Sequence, residues 1–468
     1  MIHVLSVASE CAPLVKTGGL ADVAGALPAA LAPHEVTMRT LLPGYPAVMQ
    51  ALKTPEIIWE NPDLFGGPAR VLAGQGGGLD LLVLDAPHLF DRKGSLYLGP
   101  DGKDWPDNPE RYGALCWVAA QIARDGAAGW QPDLLHLHDW QAGLTPVYLR
   151  QHGLPHVPTL LTIHNIAFQG LAEAEDLVRL RLPATGFTRE GFEYWGKISA
   201  LKAGLIYADK ISTVSPTYAG ELLTPEFGMG LDGVLRVRQA DLVGILNGVD
   251  TEAWTPPYKT ARGKTRHKEA LREEFGLPES DGPLCVVVSR LTQQKGLDLL
   301  LEALPRLLAG GGQLALLGSG DKALEQAFTK AAKSEANVAV KIGYDEALSR
   351  RLIAGGDAIL VPSRFEPCGL TQLYGLRFGT LPLVAYTGGL ADTVIPASPA
   401  GLRAGAATGI QFHPVSTEAL GRALDQLCAL YREGATWRRM QKNAMAHPVG
   451  WEHSAADYAD LYRAVLTR

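Results

Sequence analysis

Thr17-Gly18-Gly19-Leu20-Ala21-Asp22 recurs as Thr387-Gly388-Gly389-Leu390-Ala391-Asp392 in the opposite half of the chain. Each copy follows an apolar, strand-like run (Val4 to Ala8; Leu381 to Tyr386) and precedes a segment able to wind into a helix. Paired glycines let the backbone come close to a ligand. The unpaired N–H groups and positive dipole end of a following helix favour an anion. Two such turns predict two similar α/β halves serving one anionic ligand. Taken singly, each reads first as an ordinary strand-to-helix turn, because glycine-rich turns are common.

Outward from these turns, short apolar runs alternate with amphipathic stretches, the pattern of βαβ units. The first half offers strands at Ile2–Ala8, Leu81–Leu84, Leu134–His138, Thr159–Ile163 and Lys210–Val214. The second offers Leu284–Ser289, Gln313–Leu317, Val338–Ile342, Ala358–Val361 and Leu381–Tyr386. Several are apolar nearly throughout, as expected for parallel strands covered on both faces. Gly66–Gly78 reads as hairpin or loop. Between Asp241 and Gly282, the Asn247-Gly248 turn, Pro256-Pro257 and the basic run Lys259–Lys268 mark a boundary, the basic run reading as solvated linker or exposed helix start. The expected architecture is two doubly wound domains with a cleft between them: residues 1–245, residues 246–450, and a terminal helix at 451–468 spaced on Tyr458, Leu461, Tyr462 and Val465.

With 468 residues, two or three domains are expected. Against 43 bases stand 49 acids, which excludes a general electrostatic pull toward nucleic acid or an anionic membrane. Five scattered cysteines without a C-x-x-C pair, no leader-like start and no membrane-length apolar stretch predict a cytoplasmic protein.

Candidate chemistry sits at strand ends. Lys16, just before the first glycine pair, is either a diphosphate contact or a surface lysine. Arg290 and Lys295 follow a buried-looking strand, where cations can neutralise phosphate oxygens of a leaving group. In Phe365-Glu366-Pro367-Cys368-Gly369-Leu370-Thr371-Gln372, Glu366 can bind sugar hydroxyls, while N–H groups at Cys368, Gly369, Leu370 and Thr371 suit phosphate. Gly318, in Gly318-Ser319-Gly320-Asp321, suits a nucleotide contact, and Tyr344 can stack on a base or simply pack. His136 and His138 share one strand face but lack further ligands at metal-site spacing, so neither a metal nor a cofactor is expected. Asp139 and His164 suit a cleft floor.

Lys16-Thr17-Gly18-Gly19-Leu20-Ala21-Asp22-Val23 resembles the N-terminal signature of bacterial glycogen synthases and plant starch synthases. His138-Asp139-Trp140, His164-Asn165, Ser289-Arg290-Leu291, Gln294-Lys295-Gly296 and Phe365–Gln372 resemble that family in the same order, so the likeness spans essentially the whole chain. It implies a GT-B fold, two Rossmann-like domains facing across a cleft. The implied activity is retaining transfer of glucose from ADP-glucose to the 4-hydroxyl at the non-reducing end of an α-1,4-glucan such as glycogen. It implies that Lys16 and Gly18 serve the donor diphosphate and that Arg290 and Lys295 take the phosphates of departing ADP. It further implies that Glu366 faces the sugar, His164 lies near the glucose, Asp139 near the acceptor and Tyr344 at adenine. Gly19, Asn247, Gly388 and Gly389 complete the expected substrate contacts. Related GT-B families carry a second glutamate eight positions after the first; here that place is Tyr374, which leaves the ribose contact unassigned. Open alternatives are another retaining glucosyltransferase with a UDP-glucose donor or small-sugar acceptor, an inactive glucan-binding protein, and a metallohydrolase on His136 and His138.

Overall fold

The computed structural model describes residues 1–127 and 129–467. These divide into two compact units, one of Met1–Val214, Ala219–Gly248 and 451–467, the other of Ser215–Tyr218 and Val249–Gly450.

The first unit is built on β1 (Ile2–Val7), β2 (Val36–Pro43), β3 (Lys53–Asn61), β4 (Ala69–Gly76), β5 (Leu79–Asp85), β6 (Leu134–His138) and β7 (Thr159–Ile163). A three-stranded sheet of β8 (Leu171–Ala172), β9 (Glu193–Tyr194) and β10 (Lys197–Ser199) follows, then β11 (Lys210–Thr213) and β12 (Leu242–Gly244). The main sheet runs β12-β11-β7-β6-β1-β2-β5-β4-β3, parallel except for the antiparallel edge made by β4 and β3. The glycine-rich stretch supplies β4 and the turn into β5.

The second unit contains β13 (Leu284–Val288), β14 (Gln313–Gly318), β15 (Val338–Ile342), β16 (Ala358–Val361), β17 (Leu381–Ala385) and β18 (Ile410–Phe412), all parallel in the order β15-β14-β13-β16-β17-β18. Numbered within the unit this is 3-2-1-4-5-6, the Rossmann order. Alternate residues feed two cores: Cys285, Val287, Leu314 and Leu316 face one, and Leu284, Val286, Ala315 and Leu317 the other. Burial on both faces is why these strands read as unbroken apolar runs.

The terminal helix Glu452–Leu466 packs Ala455, Tyr458, Ala459 and Tyr462 against Val4, Val23, Leu27 and Leu134, completing a core of the first unit. The Tyr462 hydroxyl lies 2.8 Å from His136 Nδ1. Among the described residues no helix is long and apolar enough to cross a membrane.

Two expectations need correction. The repeated hexapeptide is not an equivalent element of two halves. Its first copy ends a loop, residues 8–18, after the first strand of its unit and runs into the following helix, whereas its second follows the fifth strand of the other unit almost directly. The basic run Lys259–Lys268 is also not simply solvated. It starts the helix Lys264–Phe275, with Lys264 buried and the Lys268 ammonium 2.6 Å from the Asp357 carboxylate. Lys264 Nζ donates to Thr380 Oγ1 at 2.7 Å and to the Tyr258 hydroxyl and Ala354 carbonyl at 2.9 Å. The carbonyls of Ile353 and Phe378 lie 3.3 Å away. The three carbonyls belong to the last turns of helices Glu346–Gly355 and Thr371–Phe378, where unpaired oxygens and the dipole favour a cation. In Lys264→Met the Tyr258 and Thr380 hydroxyls, with one proton each, remain to serve the three carbonyls, and urea unfolding of the second unit is expected to show a loss of about 1–3 kcal/mol.

Candidate functional site

In the second unit the strand order reverses between β13 and β16. Their C-terminal loops therefore diverge and leave a crevice at the strand ends. The loops are stitched together. Arg364 donates its N–H to the Gln294 carbonyl at 2.8 Å, and its guanidinium grips both Asp298 oxygens at 2.6 and 2.7 Å. Gly296 sits at φ 65°, and a Cβ there would fall 1.9 Å from the Pro362 carbonyl, so only glycine permits this approach. The stitching holds Lys295 Nζ 2.9 and 2.6 Å from the two oxygens of the buried Glu366 carboxylate, which also accepts from Ser363 Oγ at 2.8 Å. Arg290 is exposed, and its guanidinium has no partner among the described residues. The crevice thus holds a neutralised ion pair, and the loop after β13 carries an uncompensated cation.

Gly388 and Gly389 serve this loop from beneath. A Cβ on Gly388 would lie 2.0 Å from the Glu366 carbonyl, and one on Gly389 would lie 2.2 Å from that of Cys368. The Gly389 N–H donates to the carbonyls of Glu366 and Pro367, both at 3.1 Å. The expectation that this amide faces a ligand is therefore replaced by close backbone packing. Cys368 is buried, Gly369 adopts φ 73°, and Gln372 Nε2 donates to both of their carbonyls. No side chain caps the helix Thr371–Phe378 at Leu370. Gly318 admits the Ser289 carbonyl, which a Cβ would approach to 2.1 Å. Tyr344 stands 78% exposed after β15. Tyr374 stacks on Trp254 at 3.6 Å between centroids, with Arg350 over the same indole.

The first unit reverses its strand order between β1 and β6. After β1, the buried Glu10 carboxylate accepts from the Thr17 N–H, from Thr17 Oγ1 at 3.0 Å, from the Gly18 N–H at 3.3 Å and from the Tyr97 hydroxyl at 3.3 Å. Burial raises its pKa against these hydrogen bonds. Lys16 is exposed and paired with Asp22 at 2.7 Å. Gly18 and Gly19 have no positive φ, and a Cβ on either would meet nothing within 4 Å. Neither backbone conformation nor packing explains glycine here, unlike at the second copy. Sequence reasoning missed Glu10 and Tyr97: a single acid between Ser9 and Cys11 carries no pattern.

After β6, Asp139 adopts φ 54°, a strained conformation for a non-glycine residue. Its carboxylate accepts from the His164 N–H at 2.6 Å. Burial, with Glu10 adding repulsion, pushes its pKa up to about 7. His164 Nε2 lies 3.0 Å from His138 Nδ1, and His138 Nε2 lies 3.1 Å from Ser6 Oγ. His136 bonds Thr162 and Tyr462 instead. Burial holds His138 at about 3 and the other two well below the usual histidine range, so the three rings are neutral at physiological pH. No group of three metal-ligating side chains forms among the described residues. Asn247 is buried with Oδ1 unpartnered among them.

Two doubly wound units, each with charged loops where the strand order reverses, define a glycosyltransferase of the GT-B class. Residues 3–237 match the starch synthase catalytic domain and residues 268–447 the glycosyl transferases group 1 domain. A glycogen synthase of Paracoccus denitrificans (strain Pd 1222) is 70% identical over 99% of this chain and 100% of its own length. One from Jannaschia sp. (strain CCS1) is 59% identical over 100% of both chains. The structure matches the catalytic domain of starch synthase IV from Arabidopsis thaliana, solved with ADP and acarbose, at a TM-score of 0.89 and 30% identity over 100% of both chains. The chain belongs to the glycogen synthase and starch synthase family.

The two glycine pairs should separate experimentally. Gly389→Ala forces backbone apart and is expected to destabilise by about 1–3 kcal/mol. Gly19→Ala, at a helix start with open space, is expected to leave the unfolding midpoint unchanged or slightly raised. Chemical denaturation of both variants checks this. Asp139 gives a pH signature. Its raised native pKa means the folded state keeps a proton that the unfolded state releases between pH 4 and 7, so stability falls as pH rises through that window. Asp139→Asn is expected to flatten this dependence in denaturation curves from pH 4 to 8.

Proposed function

We propose that the chain transfers glucose, with retention, from ADP-glucose to the non-reducing-end 4-hydroxyl of an α-1,4-glucan, releasing ADP. The observation that carries the reading is the contact of Lys295 with Glu366 at the strand-order reversal, beside unpaired Arg290. A diphosphate entering this crevice meets two cations, one of them held in place by the carboxylate. As the glucose–phosphate bond lengthens, negative charge grows on ADP and the pull of Arg290 and Lys295 grows with it, lowering the barrier more than it tightens ground-state binding. The Lys295 charge then turns to phosphate, and the Glu366 oxygens become free to accept from glucose hydroxyls. Uncapped amides at Leu370 and Thr371 add dipole stabilisation on the phosphate side. Tyr344, exposed and unpacked, is free to meet adenine.

In the first unit, Lys16 and the Gly19 N–H serve an anion, the Gly18 N–H being taken by the Glu10 carboxylate. His164 Nδ1 has no partner among the described residues and serves the sugar, with Asp139 near the acceptor and Asn247 Oδ1 an unused acceptor for a hydroxyl. The acceptor hydroxyl attacks from the face the phosphate leaves. The C1–O bond to phosphate breaks, the O4–C1 bond forms, and the O4 proton passes to a phosphate oxygen of ADP. No step calls for a metal. Five buried cysteines, none joined in a disulfide, suit a reducing cytoplasm.

The test is incubation with radiolabelled ADP-glucose or UDP-glucose and glycogen, without added metal. Label entering glycogen from ADP-glucose, preferred over UDP-glucose, is the expected result; no incorporation from either overturns the reading. Lys295→Ala and Arg290→Ala are each expected to lower kcat about 100-fold or more with an unchanged circular-dichroism spectrum. Near-normal turnover in both removes the phosphate role.

A further inference from the structure

Large hydrophobic side chains stand exposed on three segments of the first unit that meet at one carbonyl. Phe168 is 58% exposed, Leu171 45%, Trp195 85% and Met229 38%. The meeting point is the Met229 carbonyl, which accepts from Gln169 Nε2 and from the Tyr194 hydroxyl, both at 2.9 Å. A Cβ on the next residue, Gly230, would fall 2.5 Å from that same hydroxyl, so the segments are in close contact. Leu171 on β8 pairs with Ser199 on β10, and β10 pairs with β9, whose turn carries Trp195.

Two of these side chains are displayed at the expense of backbone strain. Trp195 adopts φ 51° and Met229 φ 48°, a region that bulky residues enter rarely. The turn that presents the indole is pinned, with the Gly196 N–H donating to Glu193 Oε1 at 2.6 Å. Strain held by a tight turn around a solvent-facing indole points to use rather than to packing. The patch is also continuous with the sugar end of the site. His164 leads directly through Asn165 to Phe168, and the Phe168 N–H donates to the Asn165 carbonyl at 3.3 Å. Gly170, between Phe168 and Leu171, lies against Trp140, the residue after Asp139; a Cβ on it would fall 2.2 Å from that ring.

We infer that Phe168, Leu171, Trp195 and Met229 form a platform for the glucan chain behind its reacting end, an inference that rests on the proposed transfer reaction. A glucose unit offers a flat C–H face with hydroxyls around its rim. An exposed indole flanked by polar groups fits that surface, with an apolar body for the face and wet edges for the rim. A polymer running away from His164 meets Phe168 first and the indole beyond it. The platform contributes affinity that grows with acceptor length and leaves the donor untouched.

The experiment compares wild type with Trp195→Ala, Trp195→Phe, Met229→Ser and Ile57→Ala, the last an exposed position on the edge strand β3. It measures KM for glycogen, for maltotriose and for ADP-glucose, and retention in a native gel containing glycogen. Trp195→Ala is expected to raise the glycogen KM at least five-fold and to reduce retention. The KM for ADP-glucose should move less than two-fold. Trp195→Phe should recover most of the loss, and Ile57→Ala should match wild type. Glycogen KM and retention within two-fold of wild type in both Trp195→Ala and Met229→Ser overturn the inference. So does concentration-dependent self-association that Trp195→Ala abolishes without changing retention, which gives the patch to a second copy. Retention that depends on Trp195 in a chain that turns over no nucleotide sugar supports the platform while removing the catalytic reading.

Discussion

Parallel strands must be covered by helices on both faces, and that constraint governs where chemistry can occur in this chain. With both faces of each sheet committed to apolar cores, as the alternating residues of β13 and β14 illustrate, only the strand ends can present polar groups to a ligand. The reversal of strand order then selects which ends. β13 and β16 are neighbours whose following helices run to opposite sides, so their loops part. Lys295, Glu366 and Arg290 are on those two loops, and Lys295 meets Glu366 across them. β1 and β6 repeat the arrangement, with Glu10 and Asp139 on the corresponding loops.

Electrostatics at the two reversals differ in kind. In the second unit, opposite charges meet: Lys295 and Glu366 neutralise each other at hydrogen-bonding distance and Arg290 remains over. A part-buried pair of this sort adds little net stability, because desolvation offsets attraction, but it fixes both side chains in place. In the first unit, like charges accumulate: Glu10 and Asp139 each have raised pKa values, and neutral histidines take the place of cations. The two crevices thus differ in their charge: a cation is left over in one, and carboxyl groups with neutral imidazoles line the other.

Much of this was legible in the residues. The expected bounds of β6, β7, β15 and β16 coincide with those observed, because each is a short apolar run stopped by Asp, His, Gly or Pro. β2 went unread because Thr37 and Arg39 interrupt it, and β3 because Lys53–Asn61 is a solvent-facing edge strand with no buried face to write a pattern. Loop position after a strand was enough to single out Arg290, Lys295 and Glu366. Their mutual contact was not legible, since it depends on Gly296 passing under the Pro362 carbonyl. The repeated hexapeptide misled in a useful way: identical letters serve open space in one copy and backbone packing in the other, and only three-dimensional neighbours distinguish the two. Lys264 misled for a related reason, because a lysine in a basic run has no mark in sequence of the helix ends it will cap.

The first unit is finished by residues that follow the whole of the second unit along the chain. Val4, Val23, Leu27 and Leu134 find their cover in Trp451, Ala455, Tyr458 and Tyr462, and His136 finds a hydroxyl partner in Tyr462. On the ribosome, these early apolar groups must wait through synthesis of the entire second unit before their cover emerges. The nascent chain therefore carries an open greasy seam for most of its elongation, a ready hold for chaperones, and a ribosome that stops short of Trp451 releases a product whose second unit is whole but whose first cannot close.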